Sequence, residues 1–201
     1  MELSELITEV RSYIAEPVAG FITDTEITRW LNLAQFDVVN KTQCLQNSAD
    51  ITESSGSFSL SSDAVRVKWV VYDGDKLTYM PFVEYLNVDS RTDVGVVSHY
   101  AVKGNKIFTC YATTSGATIT VHYDEIPDKL SASDDIPFNE EDRLVPFHNL
   151  LVLYAAYRAK LKAREEDAGS MAQEYMAGLQ NMKEILQPYQ PRYIREVPNG
   201  D

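Results

Sequence analysis

Three histidines, two cysteines and 30 carboxylates are the side chains from which this 201-residue sequence could build a reactive or metal-binding centre. A helical zinc site needs two imidazoles one turn apart, at i and i+4. His99, His122 and His148 are too scattered for that, and they read as ordinary surface or half-buried histidines. Cys44 and Cys110 belong to no CxxC pair, and two thiols make no disulfide framework. They read as reduced packing cysteines. Cys110 with His122 could be proposed as a nucleophile and its base, but nothing local brings the two together. Asp124, Asp128, Asp134 and Asp135 are dense enough to raise the question of calcium. The alternating ligands, central glycine and closing glutamate of an EF-hand loop are missing, so a solvated charge run is the simpler reading. No cleft-forming pattern singles out two carboxylates for glycosidic chemistry. There is no GxGxxG, no P-loop and no nucleophile elbow. The expectation is a protein that is not an enzyme and needs neither metal nor cofactor.

Charge narrows the partners. Net charge is −12 and the pI about 4.7, with 18 basic residues against 30 acidic ones and no basic run. Gripping phosphates needs clustered Lys and Arg, so sequence-specific DNA or RNA binding is excluded as a main role. An acidic surface keeps a chain soluble and repels DNA. No apolar run reaches the roughly 18 residues a membrane span needs. Met1-Glu2-Leu3-Ser4-Glu5 lacks the basic-then-apolar pattern of a signal peptide, so synthesis in a cytoplasm is expected.

Four helical patterns flank a β-rich middle. The first covers about 3–15, with Leu3, Leu6, Ile7, Val10 and Ile14 on one face, and ends at Pro17 and Gly20. The second opens on Thr23-Asp24-Thr25-Glu26, which has the form of a capping box, with Ile22 and Ile27 at the staple positions. Its inner face reads Ile27, Trp30, Leu31, Ala34 and Val38, to about Lys41. From about 49 to 124 the period becomes two. Val65, Val67, Trp69 and Val71 predict one apolar strand face. Asp73-Gly74 and Gly104-Asn105 predict hairpin turns. In a last strand Ile119, Val121 and Tyr123 alternate with Thr118, Thr120 and His122. The acid-rich 124–141 stretch, with two prolines, reads as an exposed return loop.

A third helix is expected to begin near 139–142 with Pro146 close to its first turn. Its inner positions would be Leu144, Phe147, Leu151, Tyr154, Ala155, Arg158 (by its stem) and Leu161. The fourth follows Glu165-Glu166-Asp167 and carries Ala168, Met171, Ala172, Tyr175, Leu179, Met182 and Leu186 at near-heptad spacing.

Helices of a dozen residues are marginal alone in water. The N- and C-terminal pairs each have stripes to bury, and joining them solves both problems. The expected fold class is α+β: an antiparallel helical bundle from 1–45 and 139–187, with an inserted antiparallel β sandwich or barrel at 46–138. Residues 188–201 form an extended Pro-rich tail. Tyr189, Pro191, Tyr193 and Ile194 fall in it, where no local core covers them, and suit docking to a partner. A tail folded back on its own bundle is the other reading.

Phe21 to Gln35, through Trp30-Leu31-Asn32-Leu33-Ala34-Gln35, resembles the opening of the phage head-to-tail adaptor (head completion, connector) family. That family places an aromatic and a Ser/Thr-Asp cap before Leu-x-x-Trp-Leu/Ile-Asn-x-Ala-Gln. A second stretch is similar to its strand–Tyr–Pro–Leu–Ser–acid–Pro–helix passage. It runs through Ile119–Tyr123, Ile126-Pro127, Leu130-Ser131, Asp135-Ile136-Pro137, Leu150 and Tyr154–Ala159. Ala172, Tyr175 and Leu179 resemble its last helix. The likeness covers about the first 45 residues and 117–186. Asn139-Glu140-Glu141 and Pro146 depart from the family's usual glutamate before the third helix.

The resemblance implies a virion neck protein, made in the bacterial host's cytoplasm. It implies a homo-oligomeric ring, matching the dodecameric portal, with the portal protein on one side and a tail or stopper protein on the other. DNA would pass through without sequence-specific binding, and no membrane is involved. The tail residues Tyr189, Pro191, Tyr193 and Ile194 would then meet the portal. The alternatives are another tail-completion or assembly-chaperone virion protein, and a small hydrolase.

Overall fold

A computed structural model describes residues 1–16, 19–88, 95–111 and 116–186. The chain is α+β and divides into two compact units. The first comprises Met1–Ala34, Leu130–Ile136 and the segment from Glu141 onward, and the second Gln35–Lys129 with Pro137–Glu140.

In the first unit, α1 (Leu3–Tyr13) buries Leu3, Leu6 and Val10. Helix α2 (Asp24–Thr42) begins here and continues into the second unit. Its cap forms as the sequence predicts. The Thr23 Oγ1 accepts the Glu26 N–H at 3.3 Å, and the Glu26 carboxylate accepts the Thr23 N–H at 3.1 Å. Ile22 and Ile27 are both buried beside it.

After the short α3 (Phe82–Leu86), helix α4 spans His148–Ala163, later than the predicted start at 139–142. Pro146 sits instead in a preceding 3-10 turn, Asp142–Phe147. Lacking an N–H, it is tolerated there and postpones the regular helix. The buried face of α4 also differs from the predicted one. Leu151, Val152, Ala155, Ala156 and Ala159 are fully enclosed, while Arg158 and Leu161 face outward. So many small residues allow α4 to be covered on several sides, which blurs the 3.6-residue stripe. Helix α5 (Ala168–Leu186) buries Ala168, Tyr175, Leu179 and Met182 at the predicted spacing. Lys160, largely buried, holds the α4–α5 turn by ion pairs to Glu165 at 3.2 Å and Asp167 at 2.5 Å. These partners raise its pKa, the Asp167 hydrogen bond foremost.

The second unit holds two four-stranded sheets. One has the order β1 (Gln46–Thr52), β8 (Thr118–Glu125), β3 (Ala64–Tyr72), β4 (Asp75–Lys76). The other runs β2 (Phe58–Ser59), β7 (Lys106–Thr109), β6 (His99–Lys103), β5 (Thr78–Tyr79). Phe58, Val70, Leu77, Tyr100, Ile107, Ile119 and Val121 meet in one core cluster fed by both sheets. Both predicted hairpins form; Asp73 and Gly74 take φ of 51° and 87°, as a type I′ turn requires.

Three strand expectations need correction. Thr78–Tyr79 pairs with β6 in parallel, so the β region is not wholly antiparallel. The strand expected to follow the Asp73-Gly74 turn is broken at Leu77, which is buried. In β3 the register shifts twice against β8, between Ala64 and Arg66 and between Val67 and Trp69. Each bulge interrupts the two-residue period. The apolar face therefore changes hands: Val70 is fully buried and Val65 is 64% exposed.

Candidate functional site

The most motif-like stretch, Trp30–Gln35, turns out to hold backbone. Within the first unit, the Asn32 amide works as a surrogate strand partner for Leu130. Its Nδ2 donates to the Leu130 carbonyl at 3.0 Å, and its Oδ1 accepts the Leu130 N–H at 2.8 Å. Within the second unit Gln35, fully buried, does the same for two separate residues. Its Nε2 donates to the Asp128 carbonyl at 3.1 Å, and its Oε1 accepts the Phe138 N–H at 2.8 Å. Buried main-chain groups need partners, and side-chain amides can supply a donor and an acceptor at once. The 124–141 stretch is therefore only in part the exposed loop predicted: Asp128, Lys129 and residues 131–134 are exposed, but Pro127, Leu130, Pro137 and Phe138 are buried along it.

Phe138, Asn139 and Glu140 all adopt left-handed backbone, with φ of 58°, 55° and 61°. Non-glycine residues pay roughly 1–2 kcal/mol each for that conformation. Complete burial of Phe138, its N–H bond to Gln35 and the Asn139 Oδ1 bond to the Asp128 N–H at 2.7 Å offset the strain. Glu140 is exposed. Glu140→Gly is therefore expected to raise unfolding stability by about 0.5–1 kcal/mol in urea titration, whereas such a change in an ordinary loop lowers it.

The reactive side chains considered from sequence are not brought together. His122 stacks on Trp69 with ring centroids 4.7 Å apart. The His99 Nδ1 lies 2.9 Å from the Ser98 Oγ. His148 is buried in the first unit, with the Met1 ammonium 3.1 Å from its Nδ1. Both cysteines are buried without a disulfide. Cys110 donates to the Met80 sulfur at 3.6 Å, and burial pushes its thiol pKa up, away from an activated nucleophile. Among the described residues no group of three or more His, Cys, Asp or Glu could hold a metal ion.

Sequence reasoning missed one carboxylate pair, Asp63 with Glu125, in the second unit. Burial first, and then Asp63, raise the Glu125 pKa, against the lowering bond from Asn47 Nδ2 at 3.1 Å. Asp63 is lowered chiefly by Ser61. No sequence signal marks them, since they are 62 positions apart by numbering (125 minus 63).

Burial, and secondarily the Met1 ammonium, push His148 down to about 4. The unfolded imidazole titrates near 6.5. Between those values the unfolded chain binds a proton that the folded chain refuses, so stability falls as pH drops from about 6.5 towards 4. The loss is expected to reach about 3 kcal/mol by pH 4. His148→Gln should flatten that part of the pH profile, read by urea unfolding at several pH values.

Tyr189, Pro191, Tyr193 and Ile194 lie outside the described residues. Among those described, no helix is long and apolar enough to cross a membrane.

The features most specific to this sequence, the capped α2 and its two amides, thus secure the chain's own backbone. The sequence matches the SU10 adaptor protein family over residues 1–197, and the chain belongs to that family of phage head-to-tail adaptors. No curated protein matches it.

Proposed function

We propose that this chain is a structural subunit of a ring that joins the portal of a phage head to its tail and carries the DNA channel between them. The observation that supports this reading is the family match over 1–197. In this reading the N- and C-terminal helices form a bundle and the β unit is a sandwich inserted between them. The copies close into a ring of the portal's symmetry, for which twelve is the natural number. A net charge of −12 favours a channel wall on which sliding DNA finds few cations to bind. Tyr189, Pro191, Tyr193 and Ile194 would provide aromatic and apolar anchors for the portal.

Mixing the purified chain with purified portal tests the reading. Electron microscopy should show a symmetric ring of added density beneath the portal, and light scattering the matching gain in mass. A portal unchanged in mass and outline rejects it. Deleting residues 187–201 should weaken docking; undiminished binding would remove the tail from the interface.

A further inference from the structure

A groove of about 540 Å³ opens in the first unit between the start of α4 and the end of α5. Pro146, Phe147 and Leu150 line one side, and Gly178, Ile185 and Leu186 the other. Gly178 shapes it: a Cβ there would come within 2.3 Å of Leu150 Cδ2. The glycine lets that leucine lie against α5. The polar side chains around the groove are Arg143, Asn149 and Asn181. Ile185 stays 61% exposed on its wall. A volume in this range accepts one or two aromatic side chains with few polar groups to orient them.

We infer that this groove receives Tyr189–Ile194 of the same chain, as a latch that holds the C-terminal segment on its own helical unit. The occupant follows from where the chain goes. Leu186, the last described residue, is itself part of the groove wall, and Tyr189 is the third residue after it. At no more than about 3.6 Å per residue, Tyr189 cannot leave the neighbourhood of the groove. Pro188 has no N–H to donate to a helix. Tyr189, Tyr193 and Ile194 supply large side chains at modest entropic cost, matching the apolar lining. The short tether gives an effective concentration on the order of millimolar, which a second copy's segment reaches only in concentrated solution. The latch would keep these aromatics covered in the unassembled chain. It stands independently of the portal reading, because its test contains no portal.

The test uses the full chain, its Tyr189→Ala/Tyr193→Ala variant and a fluorescent peptide of residues 187–201. An occupied groove excludes the peptide, so anisotropy titration should find the double variant binding at least about tenfold more tightly than wild type. Adding Asn181→Trp to the double variant should fill the groove and abolish that binding. Amides of 147–150 and 182–186 should exchange at least about fivefold more slowly in wild type than in the double variant. Equal binding to both chains, binding to neither, binding that survives Asn181→Trp, or unchanged exchange each overturns the latch. Matching circular dichroism and melting curves establish that the variants are folded.

Discussion

Replacing Gln35 by leucine is expected to cost about 2–4 kcal/mol of unfolding free energy, although leucine matches its size and favours a helix at least as well. Gln35 is fully buried, so water cannot take over its duties. Its loss strands the Phe138 N–H and the Asp128 carbonyl together. The buried Phe138 N–H carries a desolvation penalty of about 1–3 kcal/mol, and the carbonyl of Asp128, an exposed residue, adds less because water reaches it in part. The Phe138 N–H also helps retain the left-handed 138–140 turn, so relaxation of that turn limits the total. Gln35→Glu distinguishes hydrogen bonding from shape, because a carboxylate still accepts from Phe138 but cannot donate to Asp128. It should be at least as damaging as leucine near neutral pH and milder in acid, where the protonated group donates again. A leucine variant with wild-type urea midpoint and slope would remove the clamp from the account of this unit.

Arg11→Met is the second large effect, expected at about 2–3 kcal/mol and a fall in Tm of several degrees. The guanidinium is largely buried where α1 ends and α2 begins. Nε and Nη2 both reach Asp24 Oδ1, at 3.0 and 2.5 Å. Nη1 donates to the Glu16 carbonyl and Nη2 to that of Ile22, each at 3.2 Å. Methionine keeps most of the apolar stem and removes every donor. The Asp24 side chain is 60% exposed, so it rehydrates once alone. Most of the loss must come from the two carbonyls. Asp24→Asn should accordingly cost under about 1 kcal/mol. Arg11→Lys should recover only part, because one ammonium cannot reproduce the forked geometry. Equal losses in the arginine and aspartate variants would show that the ion pair, not the carbonyls, dominates.

The two clamps differ in how visible they were. Asn32 and Gln35 stood in a recognisable motif, yet their hydrogen-bond partners lie 98 and 103 residues away, at Leu130 and Phe138. The motif could therefore point to a family without saying what its amides hold. No sequence pattern marked Arg11, whose partners at Glu16, Ile22 and Asp24 appear only in the structure. The phase of α4 was misjudged because alanines at 155, 156 and 159 accept neighbours on more than one side. The five-residue α3 was too short to show a period. The tail residues named from sequence lie outside the described residues.

What the sequence determined by itself is local in origin: the α2 cap, the α1 and α5 stripes, the hairpin at Asp73-Gly74 and the alternation of β8. It also carries kinship with the adaptors in the order of those features. Each arises from interactions among residues within about one or two turns, whose energies do not depend on the rest of the chain. Only the tertiary structure decided the bulged register of β3, the parallel β5–β6 pair, the left-handed turn at 138–140 and the partners of Asn32 and Gln35. Those choices would be costly or neutral locally, and they become favourable when distant backbone arrives to satisfy them.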